Sequence, residues 1–185
     1  MNKRLIIEPL MADNQAADGV SEADWLCAAT FAAQRRCEYL TWRAVLRREL
    51  GPVEVNYNAV GAPYILDCND VHISVSHGAG RVALCISNTP CCVDIERLDR
   101  HFDRVSARYL TPKECALSAD ARFNAVAWCA KEALYKLSGA SKLNLRTDLQ
   151  ITAVGVDWIE GQIKNGETQR LSVQYFDDAV VVWKL

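Results

Sequence analysis

The chain has 185 residues, enough for one sizeable hydrophobic core or for two small cores packed together. Half of the residues are hydrophobic and 24% are charged, which is typical of a globular protein rather than a disordered or fibrous one. The formal net charge of −2 argues against a protein that binds nucleic acids of any base sequence, because such binding needs an excess of basic residues. An anionic ligand would have to be held by local clusters of basic residues.

The chain shows no pattern of a targeting or membrane-spanning segment. The apolar run before Glu8 is only three residues long, too short for the apolar core of a signal peptide. No apolar run approaches the length of a membrane helix, so we expect a cytoplasmic protein. The eight cysteines include no C-x-x-C pair, and several lie among apolar residues, as in VALCIS and NAVAWCA. We therefore expect free thiols rather than disulfides or a zinc site.

The first predicted element is a long helix near the N-terminus. Ser21, followed three residues later by Asp24, is typical of a capping box and predicts where this helix begins. The helix is expected to run almost to Gly51-Pro52, with a break near Arg35-Arg36. One face carries three arginines, and it is either a solvated basic stripe or an anion-binding face: Arg36, Arg43 and Arg47.

Strands and a second helical region follow. Residues 53–66 alternate like a strand pair around a glycine, and residues 70–98 read as three strands separated by HGAG and SNTP turns. Thr111-Pro112 predicts the start of a helix, because proline suits the first helical turn. A longer helix follows, and residues 149–185 read as strands separated by turns such as Asn165-Gly166.

The order of these elements predicts an α+β protein. A helix followed by strands occurs twice, which fits two α+β halves, residues 1–92 and 93–185. Ligands commonly bind where two such units meet, so we expect a site at the seam between the halves.

The segment CVDIERL carries two carboxylates on one predicted strand face. Side chains alternate along a strand, so Asp94 and Glu96 share a face while Ile95 points into a core. The pair is either part of a solvated face or a site for a hard cation such as magnesium.

The segment WCAKEALYK has an unusual polar side when it is placed on a helix. Trp128, Glu132, Tyr135 and Lys136 fall on one side, and Lys131 lies on the flank. The other side is apolar and predicts core: Val126, Ala130, Ala133, Leu134 and Leu137. Glu132 and Lys136 could simply form an i,i+4 ion pair worth about 0.3–0.5 kcal/mol. The two aromatic rings favour a site over that interpretation.

The strand HISVSHG offers groups that can hold a phosphate. His72, Ser74 and Ser76 share one face, and His77 lies at the end beside a glycine turn. The alternative is a serine-rich edge strand with a turn histidine. The chain has no G-x-S-x-G elbow, no P-loop and no G-x-G-x-x-G motif.

In this order, the motifs resemble those of the 4′-phosphopantetheinyl transferases, specifically the two-halved surfactin-synthetase-activator type. That family carries R-R-x-E-F/Y-L-x-x-R, G-K-P, S-H, G-V/I-D-I/V-E and W-x-x-K-E-x-x-x-K. The corresponding segments are RRCEYLTWR (35–43), GAP (61–63), SH (76–77), CVDIE (92–96) and WCAKEALYK (128–136). The resemblance implies two similar halves packed as a pseudo-twofold dimer within one chain. Residues 1–92 would be the coenzyme A side, residues 93–185 the metal and catalytic side, and a monomer would suffice.

The resemblance also implies an activity: transfer of phosphopantetheine from coenzyme A to a serine of an apo acyl or peptidyl carrier protein. Asp94, Glu96 and Glu132 would hold magnesium on the coenzyme A pyrophosphate. Glu132, or a metal-bound water near it, would take the serine proton. Lys136 would stabilise charge on the phosphoryl oxygens.

Further residues would bind coenzyme A in this resemblance. Ser76 and His77 would contact the nucleotide phosphates, and Lys131 would help to hold the nucleotide. Arg36 and Arg43 are the candidates for the ribose 3′-phosphate, which suits a guanidinium fork.

Three positions depart from the family motifs: Ala62 replaces a lysine, Cys92 a glycine, and Gly78 a common serine. They leave open a non-catalytic protein of the same fold that binds coenzyme A or a carrier. A magnesium-dependent phosphohydrolase is a further alternative. Three arginines near the seam would either steer an acidic carrier protein or form a solvated loop: Arg97, Arg100 and Arg104.

Overall fold

A computed structural model describes residues 3–12, 19–164 and 166–185 of the chain. Within these ranges the chain forms ten strands, four α-helices and one 3-10 helix, so the predicted α+β class is confirmed. Asn165 of the predicted Asn-Gly turn lies outside the described residues. All eight cysteines are free thiols. Across the described ranges, no helix is long and apolar enough to span a bilayer.

Groups of helices and groups of strands follow one another along the chain. The first are β1 (Arg4–Pro9), α1 (Glu22–Ala28), α2 (Ala33–Leu50), β2 (Val55–Tyr57), β3 (Pro63–Ile65), β4 (His72–Gly78) and β5 (Arg81–Ser87). They are followed by β6 (Cys92–Arg97), the 3-10 helix (Phe102–Arg108), α3 (Pro112–Cys115), α4 (Phe123–Ser138), β7 (Leu149–Val154), β8 (Trp158–Ile163), β9 (Thr168–Tyr175) and β10 (Ala179–Lys184).

The predicted helix starts are confirmed. The Ser21 hydroxyl accepts a hydrogen bond from the Asp24 backbone amide, and the Asp24 carboxylate accepts one from the Ser21 amide. Thr111 caps α3 in the same way, and Pro112 occupies the first turn. Two capping boxes recognisable from the sequence therefore fix where these helices begin.

The break in the N-terminal helix was placed wrongly, near Arg35-Arg36. It lies at residues 29–32, so α1 and α2 are separate helices. Phe31, within the break, packs edge-to-face on Tyr39 with ring centroids 5.3 Å apart.

The strands form antiparallel sheets in the orders β1-β5-β4, β6-β10-β9-β8-β7 and β2-β3. The two larger sheets share a pattern: the first strand pairs with the last, and the last with the strand before it. Helix α2 packs Trp42 and Leu46 on the first sheet, and α4 packs Ala130 and Leu134 on the second. Strand β1 was not predicted, because its apolar run is only three residues long.

The two larger sheets meet along β4 and β6, which run side by side in the same direction. The Val93 amide donates to the Ser74 hydroxyl over 3.1 Å. Farther along, the backbone approach is so close that a Cβ on Gly78 would lie 2.5 Å from the Ile95 carbonyl oxygen. Glycine at position 78 is therefore a packing requirement of this seam.

Candidate functional site

Asp94, on β6, is the centre of the polar cluster at the seam. Its carboxylate is only 5% exposed. Oδ1 accepts hydrogen bonds from the Ser76 hydroxyl (2.7 Å) and from the Lys136 ammonium (2.8 Å). Oδ2 is buried and accepts no hydrogen bond from the described residues. Lys136 pairs with the other oxygen, so Oδ2 is the atom suited to a cation, because a buried acceptor needs a partner of its own.

Glu96 lies two residues farther along β6 and is held from two sides. Its Oε1 accepts a hydrogen bond from the Trp128 indole (2.9 Å), and its Oε2 pairs with the Arg100 guanidinium. Burial and the nearby Asp94 charge raise the pKa of Glu96. Ile95, between the two acids, is buried in the core as predicted.

Helix α4 presents its polar side to this strand. The apolar side is buried as predicted, and Lys136 reaches across to donate to the Val93 carbonyl (2.9 Å) as well as to Asp94. Among the described ion pairs, Lys136 pairs with Asp94 rather than with Glu132 one turn earlier, so the simple i,i+4 interpretation is wrong.

The charges around α4 shift two pKa values in ways that matter for chemistry. Burial, then repulsion from Asp94, raises the pKa of Glu132. Burial alone would lower the pKa of Lys136, but the Asp94 and Glu132 carboxylates outweigh it and raise that pKa. The helix therefore offers a carboxylate of increased basicity next to a firmly protonated ammonium.

His77, at the end of β4, is bound by helix α2. Its Nε2 lies 2.7 Å from Nη1 of Arg35, and its Nδ1 lies 3.3 Å from the Glu38 carboxylate. Because a guanidinium can only donate, Nε2 must be the unprotonated nitrogen, and Nδ1–H donates to Glu38. Burial is the main cause that lowers the pKa of His77, which keeps the ring neutral. Neither Arg35 nor Glu38 was predicted as a site residue.

The other predicted arginines lie elsewhere. Nη1 of Arg36 donates to the Phe31 carbonyl (3.1 Å). Arg43 is 4% exposed, pairs with Asp24 at 3.1 Å, and stacks on the neighbouring rings of α2. The placement of Arg43 does not fit the expected contact with a ribose 3′-phosphate, because its guanidinium is already bound in the interior.

Lys131 also lies in the interior of the protein. The side chain is fully buried, and its ammonium donates to the carbonyls of Tyr109 (2.6 Å), Leu145 (2.9 Å) and Leu149 (2.7 Å). It also pairs with Glu114 at 2.6 Å. This placement does not fit a contact with a nucleotide. Lys131 instead links α4 to the segments that contain these three carbonyl groups.

A cavity of about 200 Å³ opens beside Lys136. Its wall is formed by the β2–β3 connection, strand β4 and the end of α4, with Ala62, Ser74 and Tyr135 among the lining residues. The motif segments GAP, HISVSHG and WCAKEALYK thus meet around one cavity, although they are far apart in the sequence.

The polar cluster falls inside a region that a family model matches. The model describes the 4′-phosphopantetheinyl transferase superfamily, and it matches residues 90–182, half of the chain. The chain belongs to this superfamily. Asp94, Glu96, Glu132 and Lys136 all lie within the matched residues, as the resemblance implied. No curated protein matches the chain.

Membership of the superfamily raises the question of whether the site fits magnesium. The described residues contain no group of three or more His, Cys, Asp or Glu gathered closely enough to hold a metal ion. The donor chemistry nevertheless fits, because carboxylate oxygens are the ligands that magnesium prefers. Asp94 Oδ2 lacks a hydrogen-bond partner within residues 3–12, 19–164 and 166–185, and the Asp94 charge raises the pKa of both Glu96 and Glu132. A cation among the three would relieve that repulsion.

Proposed function

We propose that the protein transfers the 4′-phosphopantetheine group of coenzyme A to a serine of an acyl or peptidyl carrier protein. The serine hydroxyl oxygen forms a bond to the phosphorus that carries the pantetheine. The bond from that phosphorus to the bridging oxygen breaks, and adenosine 3′,5′-bisphosphate leaves. The observation that carries the proposal is the cluster of Asp94, Glu132 and Lys136, in the region that the superfamily model matches.

We infer that the chain is of the two-halved, surfactin-synthetase-activator type, with halves at residues 1–92 and 93–185. The shared strand order of the two larger sheets supports this inference. So does the parallel approach of β4 and β6, which brings Ser76 against Asp94. Both sides of the site come from one chain, so a monomer is sufficient.

Glu132 is the group that takes the proton of the incoming serine. Its raised pKa makes it a stronger base than an exposed glutamate. The nucleophile belongs to the carrier protein, so this chain needs no activated serine or cysteine of its own. The buried thiol of Cys92 fits this view, since burial raises its pKa and suppresses the thiolate.

Lys136 stabilises the charge that develops on the phosphoryl oxygens. Two of its three N–H groups are used by Val93 and Asp94, which fix the ammonium in place. The third remains for a phosphoryl oxygen at the adjoining cavity. A donor that is already oriented needs little reorganisation during the reaction.

Asp94, Glu96 and Glu132 would hold magnesium. When bound, the ion supplies positive charge that neutralises the pyrophosphate and its leaving oxygen. Asp94 contributes the oxygen that has no hydrogen-bond partner, and Lys136 keeps the other oxygen of the same carboxylate in position.

Arg35 binds a coenzyme A phosphate, and Ser76 and His77 position the groups beside it. The Ser76 hydroxyl donates to Asp94, and His77 Nε2 accepts from Arg35. Arg35 is half-exposed and already contacts the His77 ring, so it replaces Arg36 and Arg43 as our candidate for a phosphate contact. Neutral His77 keeps its Nδ1–H on Glu38, which fixes the orientation of the ring.

Intact-protein mass spectrometry of apo carrier proteins tests the proposal. Acyl and peptidyl carriers are incubated with this protein, coenzyme A and magnesium, alongside samples with EDTA and carriers whose acceptor serine is replaced by alanine. We expect one added phosphopantetheine, absent from both controls. Binding of coenzyme A without modification of any carrier would overturn the proposal and favour a non-catalytic binding protein.

A further inference from the structure

Both carboxylate oxygens of Glu96 are occupied by donors from the chain itself. Oε1 accepts from the Trp128 indole at 2.9 Å, and Oε2 pairs with the guanidinium of Arg100, four residues later. Asp94, two residues earlier on the same strand face, instead has a buried oxygen, Oδ2, that has no hydrogen-bond partner in the part of the chain that the structure describes. The two acids therefore differ: Glu96 has a partner on each oxygen, whereas Asp94 pairs with Lys136 through Oδ1 only.

The two partners of Glu96 differ in how firmly they are held. Trp128 is part of α4 and packs against the rings of Phe102 and Tyr109. The Arg100 side chain is 52% exposed, whereas Glu96 is 15% exposed. An ion pair with one exposed partner is weak, because solvent competes for the guanidinium. Arg100 can leave while Trp128 stays.

We propose that Arg100 is an internal counter-ion of the cation site, which occupies Glu96 Oε2 in the metal-free protein and leaves it when a divalent cation binds. This inference rests on the metal site of the proposed function. A guanidinium and a divalent cation cannot both bind the same oxygen without strong repulsion between them. Binding of the cation and release of Arg100 are therefore one exchange.

The surroundings of Arg100 offer a place for the released side chain. Its guanidinium carbon lies 4.9 Å from the centre of the Phe102 ring, and the ring itself is buried and fixed. A cation–π contact of this kind persists when the carboxylate contact is lost. Meanwhile the indole of Trp128 keeps Oε1 in position, so the Glu96 carboxylate is already oriented when the cation binds.

In this structure Glu96 Oε2 is bound to Arg100. The exchange makes this oxygen available to a cation only when Arg100 leaves. It also makes Arg100 a residue that sets cation affinity, because the cation must displace it.

The chain supplies a matched control for testing this proposal. Arg97 lies three residues before Arg100, is similarly exposed, and pairs with Asp99 rather than Glu96. Arg97→Gln and Arg100→Gln each remove one positive charge from the same segment. General electrostatic attraction of a cation changes in both variants, but only Arg100→Gln frees Glu96.

The experiment is a titration of the full chain with Mn²⁺, a substitute for Mg²⁺ whose free form gives an electron paramagnetic resonance signal. We expect Arg100→Gln to bind Mn²⁺ about two- to fivefold more tightly than Arg97→Gln, the range that corresponds to a partly exposed ion pair. In a Glu96→Gln background, the same substitution of Arg100 should give no such gain, which a double-mutant cycle measures.

Equal Mn²⁺ affinities of Arg100→Gln and Arg97→Gln would overturn the counter-ion role. Absence of Mn²⁺ binding in every variant would overturn it as well, together with the assigned ligands. The carrier-modification assay distinguishes these outcomes from failure of the transferase proposal, because it reports transfer whether or not Arg100 affects the cation.

Discussion

Lys131→Met should destabilise the protein strongly, although the residue belongs to a motif that suggests catalysis. Its ammonium is fully buried and bound by three carbonyls and by Glu114 at 2.6 Å. Methionine fills a similar volume but donates nothing. Glu114, which also accepts from the Ile151 amide at 2.8 Å, would remain buried without its cation.

The magnitude follows from removing one partner of a buried pair. Such a change costs about 3–5 kcal/mol, because the remaining charge stays desolvated and uncompensated. Three carbonyls also lose a donor, although their own penalty overlaps with this figure. Against a typical total stability of about 5–15 kcal/mol, the variant should be marginally folded at room temperature.

Urea unfolding followed by tryptophan fluorescence measures the change, because Trp128 lies on the same helix as Lys131. The midpoint should fall while the slope stays constant. Lys113→Met, an exposed substitution on α3, should change the free energy of unfolding by less than about 0.5 kcal/mol. A loss below about 1 kcal/mol for Lys131→Met would refute the structural role and reopen a ligand-binding one.

Three further predictions concern the seam. Gly78→Ser should destabilise the protein by about 1–3 kcal/mol in urea unfolding, because a Cβ would clash with the Ile95 backbone; unchanged stability would contradict the close approach. His77→Gln tests the lowered pKa of His77. The contribution of His77 to stability is complete above the ordinary pKa of 6.5 and is lost as the pH falls towards the folded-state pKa. The free energy of unfolding of wild type, relative to the variant, should therefore grow from pH 5 to pH 7.5, and a difference that does not change with pH would disprove the lowered pKa. Trp128→Phe should cost about 1.5–3 kcal/mol by removing a donor to the Glu96 carboxylate, as measured by urea unfolding, and a cost below about 0.5 kcal/mol would show that the bond is unimportant.

Local periodicity was sufficient to predict which polar side chains share a face at the seam. Alternation along β6 put Asp94 and Glu96 together, and the helical repeat put Glu132 and Lys136 on one side of α4. These relations depend only on backbone geometry within a few residues, so they could be derived without knowledge of the fold.

The side-chain placements that periodicity did not predict depend on partners that are distant in the sequence. Lys131 lies on the flank of the helical wheel, but its burial is decided by Glu114 and by carbonyls from other segments. Arg43 lies on a basic face that turns out to contact Asp24 of the preceding helix. Arg35 contacts His77 only because β4 brings that ring to α2. Periodicity identifies the face of a helix but not what that face contacts.

The most direct test of the central claim compares carrier modification by wild type, Glu132→Gln and Glu167→Gln. Glu167 is an exposed glutamate before β9, outside the polar cluster, and its variant controls for loss of a negative charge. With unchanged circular dichroism and melting temperature, we predict that Glu132→Gln loses at least about 100-fold in the rate of transfer, as expected for a general base, while Glu167→Gln equals wild type. A Glu132→Gln rate within about tenfold of wild type would contradict the proposed site.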